Sequence, residues 1–118
     1  MLSFPYRFHG HGSLRYVYKN GQAVRTHMIT LKYSKNPRRS NPRVAIVVSK
    51  KVLKSAVGRN RIRRRVYEVV RHLMPDISPK TDVVFLVFSS EIVTLPHDEL
   101  VALVKHLLES AGIYKNQS

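Results

Sequence analysis

The chain has 118 residues, 43% of them apolar, which suits one domain around one core, and its lack of cysteine excludes a disulfide framework and a thiolate metal site. Its formal net charge of +14 is uneven: residues 1–75 carry 18 lysines and arginines against one acid, and residues 76–118 carry three lysines against six acids. So basic an N-terminal two-thirds calls for a polyanionic partner, nucleic acid foremost, over a surface that is merely basic for solubility.

Residues 1–12 are rich in glycine, histidine and aromatics and are expected to be irregular. They lack the apolar run of an export signal, and the longest apolar run, residues 83–88, is too short to cross a membrane. The expected compartment is the cytoplasm. "GSLRYVYKNG" predicts a short helix, with Ser13 as its cap, Leu14, Val17 and Tyr18 at i, i+3 and i+4, and Gly21 as its stop. "HMITLKYS" alternates, with Ile29, Leu31 and Tyr33 on one face and Thr30 and Lys32 on the other, as a half-exposed strand does. "KNPRRSNP" is a loop by composition, and Arg38 and Arg39 in it suit equally a solvated turn and a contact with the polyanion. "RVAIVVS" and "DVVFLVFS" are near-continuous apolar runs, expected as buried strands. They flank a helix, so they should pair in parallel, with room for another strand between them. "LPHDELVALVKHLLESAG" predicts a last helix: Pro96 at its start, Asp98 and Glu99 in the first turn, a stripe of Leu100, Val104, Leu107, Leu108 and Ala111, and Gly112 as its stop. Residues 113–118 are expected as a tail. The fold class is mixed α/β (α+β), one two-layer domain over residues 1–118.

The helix between the two apolar strands, "KSAVGRNRIRRRVYEVVR", holds six arginines, one lysine and a single acid, Glu68. Ser55 suits its cap. At 100° per residue, Ile62, Val66, Val69, Val70 and Leu73 gather on one face, fit to pack on a sheet. Asn60, Arg64, Tyr67 and Arg71 gather opposite, Arg63 takes one shoulder, and Arg61, Arg65 and His72 lie on the other flank beside Glu68. The arginines are thus displayed on a rod anchored by its apolar stripe. Cations near a helix start oppose the dipole by roughly 0.3–1 kcal/mol each. Arginines at i, i+4 add a few tenths of a kcal/mol each. Local stability argues against the arrangement, so a bound phosphate is its better explanation.

"VVSKK" at a strand end, then "AV" and "RNRIRR", followed by an apolar strand and an amphipathic helix, resembles the arginine–asparagine–arginine signature of the bacterial ribonuclease P protein family. "LRYVYKNG" is similar to that family's N-terminal aromatic helix, and the resemblance spans about residues 13–115. It implies the order α-β-β-β-α-β-α with a left-handed βαβ crossover, and a protein subunit of the endoribonuclease that matures tRNA 5′ ends. The implied partners are the ribonuclease P RNA and precursor tRNA, with no protein homo-oligomer. Chemistry is then expected in the RNA, with Mg²⁺ bound mainly by the RNA and no metal or catalytic residue in the protein itself. By the same resemblance Arg59, Asn60, Arg61, Arg63 and Arg64 contact the RNA, with Lys50, Lys51, Lys54, Tyr67 and Arg71 extending that surface. Leu14, Tyr18, Thr30 and Lys32 line a cleft for the single-stranded 5′ leader. Leu14 stands where the family usually has Phe, Lys32 where an aromatic is common, and Tyr67 where another arginine is common.

The residues by themselves agree with a binder. The basic two-thirds offers no carboxylate cluster for Mg²⁺, and His9 and His11 have no evident third ligand. A helix-turn-helix would need a helix where "VAIVVS" stands. The alternative left by sequence is a non-enzymatic RNA-binding protein of ribosomal type.

Overall fold

The computed structural model describes residues 11–37 and 41–114. Most of the expected irregular N-terminus, His9, Arg38, Arg39 and residues 115–118 lie outside the described residues. The elements run α1 (His11–Asn20), β1 (Gln22–Arg25), β2 (Ile29–Lys35), β3 (Arg43–Val48), α2 (Ala56–Leu73), β4 (Thr81–Val87) and α3 (His97–Ala111), the expected order. Short 3₁₀ turns follow α2 at Met74–Asp76 and β4 at Ser90–Val93.

The four strands form one sheet in the order β1-β2-β4-β3. β4 pairs antiparallel with β2 and parallel with β3. The parallel pair joined through α2 is therefore direct, with no strand between. β4 is central and buried on both faces, which explains its unbroken apolar run.

Alternation assigns the two faces. Ile29, Leu31, Val44, Ile46, Val83 and Phe85 point to one side, where Ile62, Val66 and Val70 of α2 and Leu100, Val104, Leu107 and Leu108 of α3 close the core. All five residues of the predicted α2 stripe are buried, and Ser55 caps the helix, its Oγ accepting from the Gly58 N–H at 3.2 Å. α3 ends as its sequence requires: Gly112 takes φ +74°, and the Ile113 N–H donates to Leu108 O at 3.2 Å. Ile113 and Tyr114, placed in the tail by sequence, are instead buried. Ile113 accepts from the Ser78 N–H at 2.7 Å, and Tyr114 bridges to Ile77.

α1 lies alone on the other face, over β2 and β4. Val17 docks it there and, like Val84 on that side of β4, is fully buried yet outside the main core. The helix begins at His11, so Ser13 sits inside its first turn and is not the cap. Gly21 is the expected stop for a packing reason. A Cβ there would come within 2.5 Å of Val17 O and 2.8 Å of Tyr33 O.

Candidate nucleic-acid interface

The α2 surface follows from the buried stripe, which fixes the azimuth of every other residue. Lys50, Lys51 and Lys54 are exposed in the turn from β3 into α2, and Asn60, Arg61, Arg64 and Arg71 are exposed along the helix. Arg61 and Arg64 have no partner among the described residues, so their guanidinium forks face solvent. Arg59 is half-buried, and its Nη1 donates to Leu53 O (2.9 Å) and Lys54 O (2.8 Å). It thereby pins the lysine-bearing turn to the helix. Arg63 donates to the Asn60 side-chain oxygen, which holds both at one orientation.

Three residues differ from the expected display. Arg65 is not a free cation. Its Nη1 donates to the carbonyls of Ile92 and Val93, and its Nη2 donates to Leu95 O at 2.5 Å, tying α2 to the segment between β4 and α3. Tyr67 is half-buried and packs against the core, so it flanks the basic face and does not stand opposite the apolar stripe. Arg71 pairs with Glu68 at 2.5 Å, with both side chains about half exposed. That hydrogen bond holds the Glu68 carboxyl below the usual carboxylate range. Arg71 therefore brings less free charge than Arg61 or Arg64.

The second part is the space between α1 and the sheet. Leu14 and Tyr18 are half-buried on the sheet-facing side of α1, and burial pushes the Tyr18 phenol up. Thr30 is only 5% exposed, covered in a way that strand alternation alone does not show, and so offers little surface to a ligand. Lys32 is half-buried. Its Nζ donates to Tyr18 O at 2.9 Å and lies 5.8 Å from the centre of the Tyr18 ring. A carbonyl in the last turn of a helix is a favourable place for a cation. The ammonium expected to line the leader cleft is thus held by α1 itself. The structure brings Tyr18 and Lys32 together, sets Leu14 one turn before Tyr18 on α1, and buries Thr30.

Sequence reasoning missed Tyr16. It is 57% exposed on α1, off the Leu14–Val17–Tyr18 stripe, above the end of β2. The wheel carried no signal for it: at 100° per residue Tyr16 falls nearly opposite that stripe, on the solvent side of the helix. A buried ion pair was also missed. Arg43 meets Asp82 through Nε–Oδ1 (2.9 Å) and Nη2–Oδ2 (2.8 Å) on the α1 face of the sheet. Among the described residues no three histidine, aspartate or glutamate side chains come together as a metal cage, and no helix is long and apolar enough to cross a membrane.

The elements stand in the order that the resemblance implied. Comparison with known proteins agrees. The Ribonuclease P family model matches residues 2–112. A ribonuclease P protein component from Roseiflexus castenholzii is 41% identical over 97 residues, covering 82% of this chain and 78% of the relative. One from a Synechococcus species is 32% identical over 116 residues, covering 96% and 86%. The fold is similar to that of the Staphylococcus aureus RNase P protein at 2.0 Å (TM-score 0.80, 23% identity, 92% of this chain and 97% of that one). It is also similar to the Thermotoga maritima RNase P protein (TM-score 0.78, 22% identity, 88% and 96%). The ribosomal-type alternative is not favoured by these matches. The chain therefore belongs to the ribonuclease P protein family, the protein component of a tRNA-processing endoribonuclease.

Proposed function

We propose that within this role the protein grips the catalytic RNA with α2 and the turn before it, and guides the single-stranded 5′ leader of precursor tRNA along the cleft between α1 and the sheet. One observation carries the reading. Arg61 and Arg64 stand free on a helix whose opposite face is locked into the core, and the exposed Lys50, Lys51 and Lys54 sit at its start. A rigid row of forks and ammonium groups matches phosphates spaced along a backbone. Arg59 and Arg63 serve that surface by fixing the turn and the Asn60 side chain. Tyr18 offers a ring edge for a leader base.

In this reading the protein holds the RNA and the leader and leaves Mg²⁺ to the RNA. Where the RNA binds it, the ion would supply charge neutralisation and an activated water, and the protein's part is to hold the substrate near that place. The reading also takes the protein to act in the cytoplasm as a single copy of the chain.

Binding to ribonuclease P RNA across a salt series tests the interface. Replacing Arg61 and Arg64 together by Ala should weaken binding and flatten the log–log salt slope by about one for each phosphate that is no longer neutralised. Unchanged affinity and slope would remove the helix from the interface. In parallel, Tyr18→Ala should spare RNA assembly and lower the preference for precursor over mature tRNA. An unmoved preference would assign Tyr18 to packing alone.

A further inference from the structure

At the far end of the α1 face, the last residues of β2 and the first of β4 form a groove that the cleft residues do not use. Ser34 pairs with Asp82 across the strands. Tyr16, Ser34, Lys35, Asn36, Pro37 and Asp82 enclose about 460 Å³ of accessible space, open to solvent. The groove lies at the opposite end of the sheet from the start of α2. The Ser34–Asp82 row and the Val48–Val87 row, after which the turn to α2 begins, are about 17 Å apart at strand rise.

Three features mark the groove. The Ser34 Oγ is buried with no hydrogen-bond partner among the described residues, which in a native fold asks for an explanation. Asn36 is held at both ends: its N–H donates to Lys80 O at 2.8 Å, and its Nδ2 donates to Asp82 Oδ2 at 3.0 Å. The carboxylate fixes which way the amide faces, because only the NH₂ can approach it. Asp82 is itself clamped by Arg43. The Asn36 side-chain oxygen and second N–H are left without a partner among the described residues, aimed by a buried ion pair. Across the groove, Tyr16 presents an aromatic ring that is 57% exposed.

A stacking ring facing a fixed donor–acceptor amide is the chemistry of a nucleobase site. Asp82 is neutralised by Arg43, so the groove wall brings no free charge, and the Asn36 amide is left to meet the edge of a base. Exposed Lys35 at the rim suits the phosphate attached to it. We infer that this groove is a pocket for one unpaired base of single-stranded RNA, with Tyr16 stacking on it and Asn36 contacting its edge. The inference rests on the proposed leader path and extends it: a strand lying along the cleft from α2 would reach this pocket several nucleotides on.

The test is a walk along the leader. Precursor tRNAs carrying a single abasic nucleotide at successive leader positions are bound to the holoenzyme, formed from this protein and a ribonuclease P RNA, beside mature tRNA. The unaltered protein should lose about tenfold in affinity at one position well upstream of the cleavage site, within the range of base–aromatic stacking. Tyr16→Ala and Asn36→Leu should erase that dip, and Tyr16→Phe should keep it. Tyr16 is exposed, so its variants should fold even if Asn36→Leu disturbs Asp82. A walk with no dip that Tyr16→Ala removes overturns the pocket while leaving the leader path standing, and a dip that only Tyr18→Ala removes belongs to the cleft. A holoenzyme with no preference for precursor over mature tRNA overturns both.

Discussion

On the α2–α3 side of the sheet, Leu31, Ile46 and Phe85 meet a wall of buried leucines, isoleucines and valines from two helices. On the α1 side a single ten-residue helix is docked through Val17 over Val84, and the neighbouring positions include Lys32, Ser34, Asp82 and Arg43. Both faces belong to the same strands, and alternation alone separates them. The closed face supplies stability from apolar area. The other face keeps polar groups fixed by specific partners: Lys32 on Tyr18 O, and Asp82 between Arg43 and Asn36. A surface organised that way suits recognition, because its donors and acceptors are already oriented when a ligand arrives.

That contrast can be broken first by size. Phe85→Ala, on the closed face, should cost about 3–5 kcal/mol in urea unfolding, whereas Tyr16→Ala, an aromatic truncation above the other face, should stay within about 0.5 kcal/mol. Equal losses would mean that α1 is as much core as α3. The buried ion pair sharpens the point. Asp82→Ala leaves Arg43 buried without its carboxylate and should cost about 3–5 kcal/mol, while Arg43→Met combined with Asp82→Leu should recover most of it. If the double variant is no better than the single one, the pair contributes net stability and not orientation alone.

A smaller effect separates two neighbouring arginines. Arg65→Ala removes hydrogen bonds to three backbone carbonyls and should lower stability by about 1–3 kcal/mol, with little change in RNA affinity. Arg64→Ala removes the same charge from the solvent side and should leave stability within about 0.5 kcal/mol while weakening RNA binding. The smallest effect concerns pH. Burial raises the phenol pKa of Tyr18, and burial followed by the nearby Asp76 raises that of Tyr114. A group whose folded pKa is raised keeps its contribution below the unfolded value, near 10, and loses it as pH rises through the folded value. Stability should therefore be insensitive to these two groups at neutral pH and fall above about pH 10. Tyr114→Phe should lessen that fall, seen as a shallower drop in thermal midpoint between about pH 9 and 11.

Much of the fold was legible because its signals are local. The α2 stripe follows from 3.6-residue spacing, its cap from Ser55, and the end of α3 from Gly112. β1 was not placed by residue, since Gln22–Arg25 is four residues long with one β-branched side chain and its pairing with β2 is decided by the turn after it. The tail boundary was misplaced because the burial of Ile113 and Tyr114 depends on Ile77 and Ser78, some 36 residues away in sequence. The candidate site divides in the same way. The exposure of Arg61 and Arg64 could be read from the wheel. The fates of Arg65 and Lys32 could not, because each is set by a partner from another element: the carbonyls after β4 and the end of α1. The groove around Asn36 was invisible for the same reason, since Asp82 and Arg43 come together only through strand register.

The central claim is that this protein assists a catalytic RNA and does no cutting itself. Cleavage of precursor tRNA at low Mg²⁺, with the protein alone, with a bacterial ribonuclease P RNA alone, and with both, tests it most directly. The account predicts no cleavage by the protein alone and much faster cleavage with both than with the RNA alone. Cleavage by the protein alone, or a competent RNA that the protein leaves unaffected, would contradict it.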